Sequence, residues 1–105
     1  MSEHTLTILL VPDCPHAAPA VHLARHALAS AGVEAAVETL EVDDQAQADR
    51  LRFVGSPSFH LDGKDLFPTS SPPAIACRVY PTPSGLRGVP TVDGLTRAIE
   101  AGVGN

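Results

Sequence analysis

Basic residues are few: seven Lys and Arg stand against twelve Asp and Glu in 105 residues, for a net charge of −5, and no cationic cluster occurs. Without a basic patch, neither nucleic acid nor an anionic membrane is an expected partner. Long apolar runs are also missing. No stretch approaches the ~18 residues of a membrane span, and the N-terminal stretch lacks the basic n-region and apolar h-region of a secretory signal. The expected location is the cytoplasm. Cysteine occurs only twice, at positions 14 and 77. In a reducing compartment two such residues are expected to be thiols with a chemical role, not a permanent staple. There is no internal repeat, no linker and no length for a second domain. Residues 1–105 are therefore expected as one domain with a modest core, consistent with 44% apolar composition.

Proline and glycine are plentiful, ten and eight, and fall mostly in the second half. The first half is expected to be regular and the second rich in loops. Thr5–Val11 starts with alternation and ends as a continuous apolar run, the pattern of a strand inside a sheet covered on both faces. Val21, Ala24, Leu28 and Ala31 then fall at helical spacing, with the helix starting near Pro15 or His16, Pro19 inside its first turn, and Gly32 as the stop. His22 and His26 are four apart on the outer face, with no further metal ligand nearby. Val33–Val42 reads as a second strand. Asp43 or Asp44 caps a short helix through Leu51, with Ala46, Leu51 and Phe53 facing inward. Asp62-Gly63 is a strong two-residue hairpin signal, so 57–61 and 64–67 are expected to pair antiparallel, with Pro57 opening the strand. Alternation puts His60 on a solvated face opposite Phe59 and Leu61. Residues 68–90 carry the apolar island Ala74–Tyr80 within a Pro-rich loop, which the island partly orders. Thr91 caps a last helix with Val92, Leu95, Ala98 and Ile99 inward and Gly102 at its stop.

The stretch Val11-Pro12-Asp13-Cys14-Pro15-His16-Ala17 sets a cysteine at a strand-to-helix junction. The free N–H groups of a first helical turn, with the helix dipole, favour a thiolate. The dipole contributes about 0.3–1 kcal/mol and a pKa unit is ~1.4 kcal/mol, so the dipole alone lowers a thiol by less than a unit. A larger shift requires direct N–H contacts or His16 as imidazolium, and Asp13 opposes it. The competing reading makes Cys14 a small buried hydrophobe. Pro12, Asp13, Pro15 and His16 argue against that, being poor core neighbours and good turn residues. His16 is either a thiolate partner and proton donor or simply an exposed first-turn residue. Cys77 is the only other thiol, and is either a distant resolving cysteine for Cys14 or a packed core residue beside Ile75, Ala76 and Val79.

The element order, strand-helix-strand-helix-strand-strand-helix, together with the Cys14 turn and Gly55-Ser56-Pro57, resembles the thioredoxin-like superfamily. The likeness covers residues 5–67 and 91–101. Asp62-Gly63-Lys64-Asp65-Leu66-Phe67, Ala76-Cys77-Arg78-Val79-Tyr80 and Gly85-Leu86 add a likeness to small bacterial members, some labelled alkylmercury lyase-like. The resemblance implies an α/β fold, βαβ-α-ββα, with a four-stranded mixed sheet flanked by helices and a long Pro-rich loop before the last helix. It implies Cys14 as nucleophile, a substrate groove shaped by Pro15, Ser56 and a cis-Pro57, and Asp93 in the position that glutaredoxin-type relatives use for the glutathione amino group. Asp93 equally suits an ordinary helix first turn. The motif Cys14-Pro15-His16-Ala17 departs from Cys-x-x-Cys at Ala17, which removes the local resolving thiol.

Three functions follow as expectations. The first is a redox protein acting on a thiol or disulfide, with Cys14 as nucleophile, Cys77 as resolving thiol and His16 in support. It would need no bound cofactor, though glutathione is a candidate co-substrate whose carboxylates Arg78 or Lys64 could meet. The second is soft-metal capture, of mercury or copper(I), by Cys14 and Cys77 with Asp13 or His16. The third is a non-catalytic scaffold that binds a peptide beside Pro57. Substrate, reductant and oligomeric state are not encoded in any motif here.

Overall fold

A computed structural model describes residues 3–104. The elements run β1 (His4–Leu10), α1 (Ala17–Ala31), β2 (Ala35–Glu41), α2 (Gln45–Leu51), β3 (Ser58–Leu61), β4 (Lys64–Asp65), β5 (Tyr80–Thr82), β6 (Gly85–Arg87) and α3 (Val92–Val103). The main sheet is mixed and four-stranded, ordered β2-β1-β3-β4. β1 pairs parallel with β2 and antiparallel with β3, placing Leu9 opposite Ser58. The apolar run of β1 is explained by this central position. Leu6, Ile8 and Leu10 face the main core, while Leu9 joins the smaller cluster on the other side.

The main core lies between the sheet and helices α1 and α3, built from the β1 residues with Phe59, Leu61, Ala20, Ala24, Ala27, Leu28, Leu95 and Ile99. α1 is rich in alanine, and its small side chains let the two helices pack together over the sheet. On the opposite face the seven-residue α2 covers only Leu9, Val42, Ala48 and Phe53. A helix this short leaves part of that face open.

Local signals account for most element ends. Gly32 closes α1 in the left-handed conformation, φ 68°, donating to Ala29 while Val33 donates to Leu28. Pro19 falls in the first turn of α1, where its missing N–H is not needed. Asp44 and Thr91 accept from Gln47 N and Gly94 N at 2.8 and 2.9 Å to cap α2 and α3. Asp62 and Gly63 both have positive φ, 52° and 87°, as the tight hairpin between β3 and β4 requires. The Asp62 carboxylate also takes Thr5 N and the His4 imidazole, at 2.9 and 2.7 Å. Those bonds, His4 first, hold its carboxyl below the usual range.

α1 starts where expected, at Ala17 with His16 as its N-cap, though without a side-chain cap bond. Three expectations are corrected. Ala48 rather than Ala46 is the buried residue of α2. α3 continues through Gly102, whose missing β-carbon lets Leu61 and Leu66 approach, and stops at Gly104. The segment expected as one loop contains the β5–β6 hairpin, Tyr80 opposite Arg87 and Thr82 opposite Gly85. Prolines at 81 and 83 masked this two-stranded pairing in the sequence, although a strand on no wider sheet tolerates them.

The main core predicts that Phe59→Ala, which empties a fully buried ring in edge contact with Phe67 and Tyr80, destabilises the protein by about 3–5 kcal/mol. Equilibrium urea unfolding measures this; a loss under ~1 kcal/mol would mean that the core is not organised around this ring.

Candidate functional site

Cys14 follows β1 in a turn that Asp13 enters with φ 59°. Ala17 N donates to the Cys14 carbonyl at 3.2 Å, and Ala20 N to that of His16 at 2.9 Å, which joins the turn to the first coil of α1. The thiol is half-buried and packs against the edge of the main core, while Pro12, Asp13 and Pro15 on either side are exposed. The reading of Cys14 as a fully enclosed hydrophobe is therefore not met. His16 is half-buried, and its ring lies over Gly88, where a β-carbon would come within 2.6 Å of Cε1. A side chain at 88 would push the imidazole out of this position. This contact brings the residues leading into α3 to the Cys14 turn. Asp93 is exposed in the first turn of α3, behind the Thr91 cap.

Ser56 is the hub of the same sheet end. It is buried, and its Oγ accepts from Val11 N at 3.1 Å, just past the end of β1. Its backbone N–H donates to Ala76 O at 2.8 Å and its carbonyl accepts from Arg78 N at 2.9 Å, forming a parallel bridge between Ser56 and Cys77. The segment carrying Cys77 is thus strapped along Ser56-Pro57, a cis peptide. Because β3 runs antiparallel to β1, the Ser56 end of β3 and the Cys14 end of β1 coincide. The topology brings Cys14, Ser56, Pro57 and Cys77 to one end of the sheet. Both cysteines are free thiols, and Cys77 is exposed, which overturns its reading as a packed core residue.

Ser56 and Pro57 differ from the expected open groove. Both are fully buried, and the backbone groups of Ser56 are already paired with the strap. The Pro57 carbonyl accepts from the Tyr80 hydroxyl at 2.5 Å, and burial pushes that phenol well up from its ordinary value.

The strap is held by Arg78, a residue expected on the surface. Its Nη1 donates to Asp65 Oδ2 at 2.8 Å and Ser58 Oγ at 3.0 Å, its Nη2 donates to the Phe67 carbonyl, and its guanidinium stacks 4.9 Å from the Tyr80 ring centre. Gly55, at φ 145°, permits this approach, since a β-carbon there would sit 2.8 Å from Arg78 Cβ. One signal was available: Arg78 is the only charge in an otherwise apolar island. With its fork committed to Asp65, Arg78 is not free to meet a glutathione carboxylate.

His60 is corrected as well. It is 6% exposed rather than solvated, because the sheet face that carries it is partly closed by α2 and the segment after Phe67. Its Nε2 lies 3.8 Å from Asp65 Oδ2 and has no hydrogen-bond partner among the described residues. Burial, outweighing the attraction of Asp65 and reinforced by Arg78, holds its pKa below the ordinary 6.5.

Among the described residues no group of three or more His, Cys, Asp or Glu is arranged to hold a metal ion, and no helix is long and apolar enough to cross a membrane. Compared with protein-family models, curated proteins and solved structures, the chain matches none.

Two predictions follow from the Arg78 cluster. Arg78→Met leaves the largely buried Asp65 carboxylate with Phe67 N at Oδ1 but no cation, and the Phe67 carbonyl without the guanidinium, at a cost of about 2–4 kcal/mol in urea unfolding, with Arg78→Lys intermediate because it keeps the charge but not the fork. His60 is uncharged in the folded state at neutral pH, whereas the unfolded chain takes up a proton below about 6.5. Stability carried by neutral His60 is therefore present above that pH and lost as pH falls toward the folded pKa. His60→Gln is expected to flatten this slope in unfolding measured from pH 7.5 to 5; an unchanged slope would reject the assignment.

Proposed function

We propose that the protein is a thiol-dependent redox protein of thioredoxin-like type, with Cys14 as nucleophile and Cys77 as a resolving thiol supplied by the strap. The observation that carries this reading is the Ser56 hub, which ties the strap bearing exposed Cys77 to the β1 end from which the Cys14 turn departs. An ordinary Cys-x-x-Cys centre keeps its second thiol three residues on; here that position is Ala17. The half-buried Cys14 with an open flank suits attack on a small disulfide.

In the proposed cycle, Cys14 thiolate attacks one sulfur of a disulfide substrate, forming a mixed disulfide and releasing the other half as a thiolate. His16, set at the N-cap of α1, is suited to protonate that leaving group. Cys77 thiolate then attacks Cys14 Sγ and expels the second half, so two electrons pass to the substrate and the protein is left as the Cys14–Cys77 disulfide. Two equivalents of a thiol such as glutathione return it to the dithiol. The loop closed by that disulfide, about 64 residues, would stabilise the oxidised form by ~4 kcal/mol if unstrained, so a working centre requires strain or strap movement to remain reducible. The peptide-scaffold reading is less well supported, because the Ser56 backbone groups that would pair with a guest strand are already bonded to residues 76 and 78.

Mass spectrometry after exposure to oxidised glutathione tests the cycle. Wild type is expected to end as an intramolecular disulfide, Cys77→Ser to stop as the Cys14–glutathione mixed disulfide, and Cys14→Ser to react at least tenfold more slowly. Equal glutathionylation of both single variants, with no intramolecular disulfide in wild type, would overturn it.

A further inference from the structure

The main sheet has one long open edge. β4, at one side, is two residues long, whereas β2, at the other, runs for seven and pairs only with β1. Such edges are templates for a further strand unless shortness, proline, bulges or charge blunt them. β2 contains no proline or glycine, and its only charges are Glu38 and Glu41.

One bond fixes which backbone groups face outward. Val42 N donates to Leu10 O at 2.7 Å, so even-numbered residues here turn their N–H and C=O toward β1 and odd-numbered ones turn theirs away. The Glu41 carbonyl, an outward one, is taken by the Gln47 side-chain amide at 3.0 Å. Ala35, Val37 and Thr39 are left with outward groups that no strand among the described residues pairs. That set is symmetric about Val37. Along the same edge, on the α1 side, runs a groove of about 490 Å³ whose lining includes Arg25, Leu28, Val33, Glu34 and Val37. Arg25 and Glu34 are both exposed, and neither makes an ion pair among the described residues.

We infer that β2 pairs antiparallel with β2 of a second copy of this chain, about a two-fold axis at Val37, joining two four-stranded sheets into one. Val37 then meets the partner's Val37, and Ala35 and Thr39 meet the partner's Thr39 and Ala35. Each opposed pair of this kind exchanges two hydrogen bonds, so all the free outward groups of the three residues are used. Charge selects the same register. An axis at Leu40's neighbour Glu38 sets that carboxylate against its own copy, and an axis at Ala36 sets Glu34 against the partner's Glu38; like charges directly opposed are destabilising. With the axis at Val37, Glu38 faces the partner's Ala36. Continued past the strand ends, the register brings Glu41 opposite the partner's Val33, in the groove that the partner's Arg25 also lines. Symmetry supplies this cation–carboxylate match twice. The net charge of −5 on each copy opposes association, so the dimer is expected to be weak. The strap and Ser56 lie on the β3 side of β1, so the pairing does not rest on the thiol chemistry.

Sedimentation velocity of the full chain carrying Cys14→Ser and Cys77→Ser, which rules out disulfide-linked dimers, tests this from about 10 μM to about 1 mM. A concentration-dependent monomer–dimer equilibrium is expected. Over the same range the amides of Ala35, Val37 and Thr39 are expected to become about tenfold slower in hydrogen exchange, while those of Ala36, Glu38 and Leu40, which face β1, do not change. Arg25→Glu and Glu41→Arg, both at exposed positions, are each expected to weaken dimerisation about tenfold, and the double variant to restore it. A chain that stays monomeric, whether its edge is free or takes a strand from another protein, overturns the inference. So does a dimer in which those three amides still exchange freely, or one indifferent to the charge swap.

Discussion

A single partly buried guanidinium holds the segment that follows β4 to the β3–β4 hairpin. Arg78 meets Asp65 from β4, Ser58 from β3, the Phe67 carbonyl and the Tyr80 ring at once. Moving an arginine and an aspartate out of water is costly, and the cost is offset only when nearly every donor finds a partner. Here the fork geometry does this: its donors reach two elements of the sheet and the chain beyond them. Residues 68–79 bury little apolar surface, with Ile75 and Val79 exposed, so hydrophobic burial alone would not order them. Directional bonds do.

The position of the thiols depends on that ordering. Once Arg78 is fixed, its backbone N–H and the Ala76 carbonyl are in register with Ser56, and the exposed Cys77 between them lies along the buried Ser56-Pro57 pair. Ser56 in turn takes Val11 N, so the strap, the start of β3 and the end of β1 form one unit. The proposed redox pairing of Cys14 with Cys77 draws on this unit, not on either local sequence. The Asp65 oxygen that anchors Arg78 also stands 3.8 Å from His60 Nε2, so this one carboxylate faces both the strap and the buried imidazole.

Much of the framework was legible because its signals are local. The apolar run of β1, the Gly32 stop, the Asp44 and Thr91 caps and the Asp62-Gly63 turn each reflect steric or hydrogen-bonding preferences of a few neighbouring residues. The Cys14 turn was legible for the same reason, as a cluster of turn formers between a strand pattern and a helix pattern. His60 and Arg78 were misread because alternation and residue type give the side of a strand or the usual preference of an arginine, while burial depends on what the rest of the chain lays over it. The β5–β6 hairpin was missed because its prolines count against a strand unless the pairing partner is already known.

By itself, then, the amino-acid order determined the elements, their capping and the placement of one cysteine at a strand-to-helix turn, since these are set by interactions spanning a few residues. Only the tertiary structure decided which face of the sheet α2 would leave open, that Cys77 would be exposed and bound alongside Ser56, that His16 would rest on Gly88, and that His60 would be enclosed without a partner. Those outcomes depend on contacts between residues that are distant in the chain. Such contacts leave no periodic or compositional trace, because each is satisfied by a particular atom that another part of the fold brings within reach.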